Sequence, residues 1–595
     1  MSTITVVDAN GLIDSLSMRA LFATCALILA ACGDDGVHHL ADAPGIQLLV
    51  EPPDLMVTIV NGQAVTQAYT ATYIAPNGDK QDVTAETTFQ IDASYGAFSG
   101  DTVSVSGQGA GPTKVYAIAA AANGETTLTV FVKQAIIDPT APANAEGLFT
   151  AATENPALAP SIVYPLDHIL VPPNLGQFDV HWQNTATSTA NNLFQVTMAN
   201  QYIDVRLYTA GLDPQNPQPF WTLFQPMTWS PIASSRQQLD LKVAGLNTAA
   251  PATKGTTAAQ KVDVTNENAQ GGIYYWTTSP EASIWRYDVA KPTQPPEAYF
   301  PAASRPSGCM GCHSLSRDGT KIAMTLDSAF GRGAIFNVAD RAPTNDFIVT
   351  PIVWDFATFD SKATKLLTVE NGEMRLRDLA GALLLPNVIP NLVGPFATHP
   401  EISPDDTRLV NVEFTGGADY SASGGTIVTR TFDTTTNTFG APTVLVPITP
   451  TDESNFYPSY SPDGQWIVFT RTSGGSYNDG SAQTWVVKAD GSQPPVQLSI
   501  ANLGGGLTNS WARWVPFAQT FGASNEQMFY LTFSTKRPFG VRLPAGDRPQ
   551  IWMTPFFPAR AAAGQDPSGP AFRVPFQSVD AANHIAQWTQ AVVIQ

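Results

Sequence analysis

Residues 461–469 read SPDGQWIVF, a tight polar turn followed directly by a β-branched and aromatic strand. The same pattern returns at residues 316–324 as SRDGTKIAM and at residues 403–412 as SPDDTRLVNV. A fourth copy with a degraded turn starts at Phe359, and a fifth unit, WARWVPF, starts at Trp511. Single units of this size cannot bury their own apolar faces, so the repeats predict small sheets packed side by side around an axis.

Each unit predicts a four-stranded blade. A short inner strand ends in the Pro-Asp-Gly-type turn, a strongly apolar strand follows, and two outer strands complete the sheet. These repeats resemble the TolB-like (PD40, WD40-like) family of six-bladed β-propellers, in which SPDG closes the inner hairpin. The resemblance covers about residues 271–595 and implies a propeller there.

The number of blades follows from how the ring closes. Residues 271–300 match the second, third and fourth strands of a blade but lack an inner strand. The C-terminal segment NHIAQWTQAVVIQ has the character of an inner strand and no blade of its own. Because a closed ring leaves no free sheet edge, we expect the C-terminus to supply the inner strand of the first blade, which makes six blades.

Two further domains are expected before the propeller. Short alternating strands separated by Asn-Gly and similar turns predict a β-sandwich over residues 46–135, which resembles bacterial immunoglobulin-like domains. Residues 139–270 predict a second sandwich, which resembles fibronectin type III domains. The expected fold class is all-β, with two β-sandwich domains followed by a six-bladed β-propeller that the C-terminal strand closes.

The N-terminus carries an export signal. The run MRALFATCALILAACGDD from Met18 resembles a bacterial lipoprotein signal, with Cys32 as the lipid-bearing residue. Residues 1–32 are then the signal peptide, with the true start expected at Met18, and residues 33–45 are a tether. The run is too short to span a bilayer, although an ordinary buried helix stays open as an alternative. We expect a lipid-anchored protein of the bacterial cell envelope, in the periplasm or on the outer surface.

The charge of the chain argues against nucleic acid as a partner. The formal net charge is −19 and the pI is about 4.7, so no basic stripe can neutralise phosphates. We therefore expect contact with a membrane through the lipid anchor only, and no binding of nucleic acid.

The motif at residues 309–313, CMGCH, has the spacing that attaches a c-type haem. Cys309 and Cys312 can each form a thioether with a haem vinyl group, and His313 can then face the iron as the proximal ligand. The motif predicts one covalent haem c. A thioredoxin-type redox pair, a zinc site and a structural disulfide stay open as alternatives.

The repeats also place the motif in the fold. Aligning Ser316 with Ser403 and Ser461 puts His313 at the beginning of an inner strand. Inner strands line the channel of a propeller, so the haem is expected at one mouth of the channel. Three aromatic residues occupy comparable positions in other blades and would either wall the haem or pack the blades, namely Trp354, Tyr457 and Trp511.

Two histidines are candidates for the distal haem ligand. His399 aligns with Cys312 at the start of an inner strand, and His584 begins the closing strand. A hydrogen-bonded strand end is the alternative for each, and a methionine ligand or an open site stays possible. Met310 lies inside the attachment motif and cannot reach across the ring, while Met324 falls in a strand where methionine usually packs.

These expectations lead to a function in electron transfer or redox sensing, with a redox partner protein or another cytochrome as the partner. No catalytic residue is predicted, so an electron carrier or a binding protein is favoured over an enzyme. One alternative is a haem enzyme whose open sixth site acts on peroxide or a small nitrogen compound. The other is a protein-binding scaffold without redox chemistry, because TolB-like propellers ordinarily bind protein partners and carry no haem.

Overall fold

The computed structural model describes residues 45–211, 220–301, 310–326, 331–345, 351–388, 396–449, 451 and 453–590. The predicted signal, residues 33–44 of the predicted tether and Cys309 lie outside these residues. The chain forms two compact units, one of residues 45–57, 64–106 and 112–129, the other of residues 58–63, 107–111 and 130 onward. Among the described helices, none has the length and hydropathy needed to cross a membrane.

Residues 45–137 are built mainly from short strands. They are β1 (Gln47–Glu51), β2 (Leu55–Val60), β3 (Val65–Ala68), β4 (Thr70–Ile74), β5 (Lys80–Asp82), β6 (Thr88–Ile91), β7 (Gly96–Ser99), β8 (Thr102–Val105), β9 (Gly111–Ile118) and β10 (Asn123–Ile137). In the first unit β4 pairs with β1 and β5, β8 pairs with β3 and β7, and β6 pairs with β9. The rings of Tyr69, Phe89 and Phe98 meet between these sheets and form the centre of the sandwich.

The second sandwich follows and belongs to the second unit. Its elements are α1 (Ala145–Ala151), β11 (Thr153–Glu154), β12 (Ser161–Tyr164), β13 (Ile169–Val171), β14 (Phe178–Gln183), β15 (Leu193–Ala199), β16 (Ile203–Thr209), β17 (Phe220–Phe224), α2 (Pro226–Ser234), β18 (Leu239–Leu246), β19 (Thr253–Thr256) and β20 (Gln260–Val264). One sheet has the order β12-β14-β17, and the other contains β19, β18, β15 and β16. Trp182, Phe194 and Phe220 pack between them.

The first half of the propeller comprises three sheets. The first has β21 (Gly272–Ser279), β22 (Ser283–Asp288) and β23 (Glu297–Phe300). The second has β24 (Gly311–Leu315), β25 (Lys321–Leu326), β26 (Arg332–Asn337) and β27 (Pro343–Asn345). The third has β28 (Phe356–Phe359), β29 (Lys365–Glu370), β30 (Glu373–Asp378) and β31 (Leu383–Leu385). Within each sheet the strands pair antiparallel in chain order. We call these sheets blades 1 to 3.

Blades 4 to 6 follow the same plan with small additions. Blade 4 has β32 (Phe396–Ile402), β33 (Arg408–Phe414), β34 (Gly416–Ala418), β35 (Ser421–Ser423), β36 (Thr426–Asp433), β37 (Thr438–Phe439) and β38 (Thr443–Val446). Blade 5 has β39 (Ser454–Tyr460), β40 (Trp466–Thr472), β41 (Gln483–Lys488) and β42 (Val496–Gln497). Blade 6 has β43 (Ser510–Trp514), β44 (Gln519–Phe521), β45 (Glu526–Thr535), β46 (Gln550–Phe556), α3 (Pro558–Ala562) and β47 (Phe572–Arg573). The last strand is β48 (Ala582–Thr589).

The last strand closes the ring. β48 pairs antiparallel with β21, from Gly272 opposite Thr589 to Ser279 opposite Ala582, and so supplies the inner strand of blade 1. The Trp588 indole also donates a hydrogen bond of 2.9 Å to the Thr532 hydroxyl of blade 6. The prediction of six blades closed by the C-terminal strand is therefore confirmed.

The repeated turn holds each inner hairpin by a fixed set of hydrogen bonds. In blade 2 the Ser316 hydroxyl accepts from the backbone N–H of Thr320 and Lys321 at 3.1 and 2.9 Å and donates to Asp318 at 2.6 Å. In blade 3 the carboxylate of Asp360 accepts from the backbone N–H of Lys365 at 2.8 Å, at the place of the serine oxygen. The degraded turn of blade 3 thus keeps the bonding pattern with another residue type.

The second sandwich packs against blade 6. Tyr164 of β12 stacks edge-on against Trp552 of β46, with ring centres 6.0 Å apart, and joins the core of blades 5 and 6. Asp179 of β14 accepts a hydrogen bond of 3.0 Å from Arg542. These contacts fix the second sandwich to the propeller.

We expect Trp588→Ala to destabilise the propeller by about 3–5 kcal/mol, because it removes a large buried side chain at the ring closure. Denaturant unfolding followed by intrinsic fluorescence and circular dichroism measures the change. Val444→Ala, at a side chain that is 59% exposed, is the control and should change stability by less than about 0.5 kcal/mol. Equal stability of the two variants would contradict the closing role of β48.

Candidate functional site

The six inner strands surround a central channel. Each of them, β24, β28, β32, β39, β43 and β48, contacts its two neighbours around the ring. Five of them carry a β-bulge at the same place, where two residues oppose one on the partner strand. A residue of each bulge takes a left-handed backbone conformation, namely Cys312, His399, Tyr457, Trp511 and Ile585.

These bulge residues and Phe356 form what we call the first ring of the channel. Phe356 begins β28 without a bulge and stands four residues before Asp360, as Cys312 stands four residues before Ser316. The left-handed conformation is costly for residues other than glycine and turns their side chains away from the regular pleat. Five non-glycine residues share it here, so it is a repeated feature of the channel.

Aromatic rings fill the first ring. The imidazole of His399 lies 4.1 Å from the Tyr457 ring and 4.5 Å from the Phe356 ring, measured between centres. Tyr457 stacks on Trp511 at 3.8 Å, and Trp511 lies 5.8 Å from Phe356 across the axis. Burial raises the pKa of Tyr457, and the nearby Cys312 adds to this effect. Cys312 is therefore at the same level of the channel as the aromatic cluster.

Below the first ring the channel opens into a cavity of about 380 Å³, within the range of small-molecule sites. A polar residue stands two positions after each first-ring residue and lines this cavity. We call this set the second ring; its members are Ser314, Thr358, Glu401, Ser459, Arg513 and Gln587. Cys312, His313 and His399 also border the cavity.

His313 occupies a position that is small in every other blade. The equivalent residues are Ala357, Pro400, Pro458, Ala512 and Ala586. The imidazole is only 3% exposed, and neither ring nitrogen meets a well-placed hydrogen-bond partner among the described residues. A buried polar atom left without a partner costs about 1–3 kcal/mol, so this imidazole is expected to have a ligand of its own.

His399 shows the same property at the first ring. It is 5% exposed, and both of its ring nitrogens are buried without a hydrogen-bond partner in the part of the chain that the structure describes. The surrounding rings can pack against the imidazole but cannot satisfy its nitrogens. The two histidines border one cavity, and none of their four ring nitrogens makes a hydrogen bond of good geometry among the described residues.

Both imidazoles are neutral at physiological pH. Burial lowers the pKa of His313 to about 4, partly offset by the main chain of Tyr274, and burial lowers the pKa of His399 well below its usual value. The positive charge of Arg513 lowers the pKa of both histidines further, so one guanidinium lies within electrostatic reach of both. A neutral imidazole is the form that binds a metal ion.

The other proposed ligand lies elsewhere. His584 precedes the bulge of β48 and its ring faces Trp276 of its own blade, with ring centres 6.1 Å apart. It is half-buried, and burial lowers its pKa to about 4. The structure therefore groups His399, and not His584, with Cys312 and His313 around the cavity.

The predicted position of Trp354 was wrong. Trp354 does not stand at the level of Tyr457 and Trp511, because Phe356 takes that place. The Trp354 indole instead packs into the space left by Gly333, where an added Cβ would lie about 2.0 Å from the ring. The spacing of four residues to the turn would have identified Phe356.

Sequence reasoning also missed a pair of buried carboxyl groups. Asp355 and Asp419 are 8% and 4% exposed and hydrogen-bond to each other in a cavity of about 300 Å³ between blades 3 and 4. The Asp419 carboxylate also accepts from the backbone N–H of Gly372 at 3.0 Å. Burial, with the hydrogen bond and the charge of Asp419, raises the pKa of Asp355 to about 9. Asp355 is therefore protonated at neutral pH.

The side chains that could act as metal ligands limit which cofactor could bind in the cavity. The described residues contain no group of three or more His, Cys, Asp or Glu side chains that could hold a metal ion. A haem iron needs only one or two axial side chains, and His313 and His399 offer unpartnered nitrogens for them. Cys312 borders the same cavity, while Cys309 lies outside the described residues. The residues present fit a haem.

No protein-family model and no curated protein matches the chain. Among solved structures, TolB from Acinetobacter baumannii is 10% identical over 60% of this chain and 80% of its own, with a TM-score of 0.35. A putative TolB from Agrobacterium tumefaciens is 13% identical over 54% of this chain and 99% of its own, with a TM-score of 0.28. Kuenenia stuttgartiensis hydrazine synthase is 12% identical over 47% of this chain and 72% of its own, with a TM-score of 0.30. At these scores the propeller assignment rests on the strand pairing alone.

We expect Asp355→Asn to change how stability depends on pH. The folded-state pKa of Asp355, about 9, is above the ordinary 3.8, so the folded chain binds the extra proton and loses stability as pH rises between these values. Asp355→Asn lacks this loss, so its free energy of unfolding should increase relative to that of the parent as the pH is raised from 5 to 9. Denaturant unfolding at pH 5, 7 and 9 measures it.

Asp433→Asn is the control for that experiment. Hydrogen bonds from the backbone N–H groups of Thr436 and Thr435 lower the pKa of this exposed carboxylate, so it stays ionised throughout the range. The control should keep the pH slope of the parent. If Asp355→Asn has the same pH dependence of the unfolding free energy as the parent, then Asp355 is not protonated at neutral pH as stated above.

Proposed function

We propose that this protein is a cell-envelope c-type cytochrome that uses its propeller channel as the haem platform, for electron transfer or redox sensing. One haem would be attached through Cys309 and Cys312, with His313 as the proximal ligand and His399 as the distal ligand. When bound, the haem supplies one-electron transfer at its iron. The proposal combines the CMGCH motif with the channel geometry.

The observation that carries the proposal is the pair of buried imidazoles. His313 and His399 border one cavity, and none of their four ring nitrogens has a well-placed partner among the residues described. Each histidine alone has a structural alternative in a strand-end hydrogen bond. His399 makes no such bond among the described residues, and for His313 the nearby main chain of Tyr274 does not meet hydrogen-bond geometry. Two such residues beside Cys312 favour axial ligation over packing.

The chain itself would do three things for the iron. Burial keeps His313 and His399 neutral, so their nitrogens are available without loss of a proton. The aromatic side chains of the first ring, which pack against His399, would keep water away from this imidazole. The guanidinium of Arg513 adds a positive charge near both imidazoles, which would favour the reduced state of a bound iron.

The proposed location agrees with this chemistry. Covalent attachment of haem c belongs to exported proteins, and the N-terminal run that ends at Cys32 resembles a lipoprotein signal. Lipid attached at Cys32 would hold the protein at a membrane surface, where it could meet a redox partner. The net charge of −19 would favour a partner with a positive contact face.

We expect the full chain, produced with haem-maturation machinery, to carry one covalent haem. A pyridine haemochrome spectrum and haem staining after denaturing electrophoresis measure it. The Cys309→Ala/Cys312→Ala double variant should lose the covalent haem completely. Absence of covalent haem from the intact chain would contradict the redox function and favour a protein-binding scaffold.

We expect His399→Ala to convert a six-coordinate low-spin haem into a high-spin form, because the variant removes the distal ligand. Absorption and electron paramagnetic resonance spectra measure the change. His584→Ala is the matched control, since this histidine faces Trp276, and it should leave the spectrum unchanged. A parent that is already high-spin and binds small ligands would instead favour an enzyme with an open site.

A further inference from the structure

Arg513 is a half-buried cation with few hydrogen-bond partners. It belongs to the second ring and borders the central cavity. Of its five N–H donors, one is used in a hydrogen bond of 2.9 Å, from Nη1 to the carbonyl oxygen of Ala512 on its own strand. No carboxylate of the described residues lies within ion-pair distance of it. Buried guanidinium groups are normally paired with an anion.

The one nearby second-ring carboxylate is already engaged. Oε1 of Glu401 accepts hydrogen bonds from Arg317 at 3.2 Å and from the backbone N–H of Tyr460 at 3.1 Å. Glu401 acts on Arg513 only through longer-range attraction, which partly offsets the effect of burial. Two guanidinium groups therefore border the cavity, and Glu401 pairs with only one of them.

The second carboxylate at the cavity does not pair with Arg513. The carboxylate of Asp318 borders the cavity but accepts hydrogen bonds from Ser316 and from the backbone and hydroxyl of Thr320 within its turn. Arg513 is therefore the ionised side chain at the cavity whose hydrogen-bonding groups stay mostly unused among the described residues.

We propose that Arg513, assisted by Arg317, binds a carboxylate group in the central cavity. A guanidinium presents parallel N–H donors that match the two oxygens of a carboxylate, and the enclosed site strengthens such charge-assisted bonds. Three large side chains border the cavity beside these groups and would pack on the carbon skeleton of the ligand, namely Tyr460, Trp514 and Trp588.

The carboxylate can come from two sources. One is a propionate of the haem, which rests on the proposed function. The other is a small carboxylate from solution, which does not. The chemistry at Arg513 is the same in both cases, so two experimental arms separate them.

The first arm uses the haem-free full chain, Cys309→Ala/Cys312→Ala. Thermal unfolding is measured with increasing sodium succinate, against sodium chloride at the same ionic strength. A solution source predicts a rise in the unfolding midpoint with succinate, because a ligand of the folded state stabilises it. Adding Arg513→Gln should weaken this binding about tenfold or more, and adding Arg560→Gln, which breaks a pair with Glu526 outside the channel, should not.

The second arm uses the chain with its haem attached. The reduction potential is measured by spectroelectrochemistry between pH 5 and pH 9. A haem source predicts that Arg513→Gln lowers the potential and adds a pH dependence, because the propionate loses its cation and titrates in this range. Arg513→Lys, which keeps the charge, should retain most of the potential, and Arg560→Gln should match the parent.

The outcomes separate the two sources. Succinate stabilisation that needs Arg513 supports the solution source, and a new pH dependence of the potential in Arg513→Gln supports the haem source. If neither effect is observed, in variants whose unfolding midpoint equals that of the parent, the proposal is wrong. If the intact chain carries no haem, the proposed function fails and the first arm alone decides the carboxylate site.

Discussion

The pairing of β48 with β21 is the constraint on which the propeller depends. Without it, blade 1 would lack its inner strand and both ends of the ring would present open sheet edges. With it, six equivalent strands meet around one channel, so residues at the same strand position face one another. The first and second rings follow directly from this equivalence. A cysteine, two histidines and an arginine from blades 2, 4 and 6 thereby come to border one cavity.

Much of this arrangement could be predicted from the turns. The Ser-Pro-Asp-Gly spacing fixed the inner hairpins, and counting strands from it identified the closing role of the C-terminus. The alignment also placed His399 with Cys312, and both are bulge residues of the first ring. The prediction was wrong for Trp354, because in blade 3 an aspartate replaces the turn serine and obscures the spacing that leads to Phe356.

Other features could not be predicted because they depend on contacts between distant segments. The carboxyl pair of Asp355 and Asp419 joins two blades, and neither neighbouring sequence resembles a known acid–base motif. Arg513 was hidden for a different reason. Its residue type and position are visible in the repeat, but its significance lies in the absence of a carboxylate partner among the described residues around the cavity, and only the folded channel reveals that.

The position of the closing strand also sets an order of events during biogenesis. His313 belongs to β24 of blade 2, whereas β48 is the last described strand. The chain therefore exposes the CMGCH motif well before the strand that completes the ring has left the ribosome or a translocation pore. Until that moment blade 1 is incomplete and the channel is accessible from the side. Maturation enzymes would act on this open ring, and closure would then enclose what they have installed.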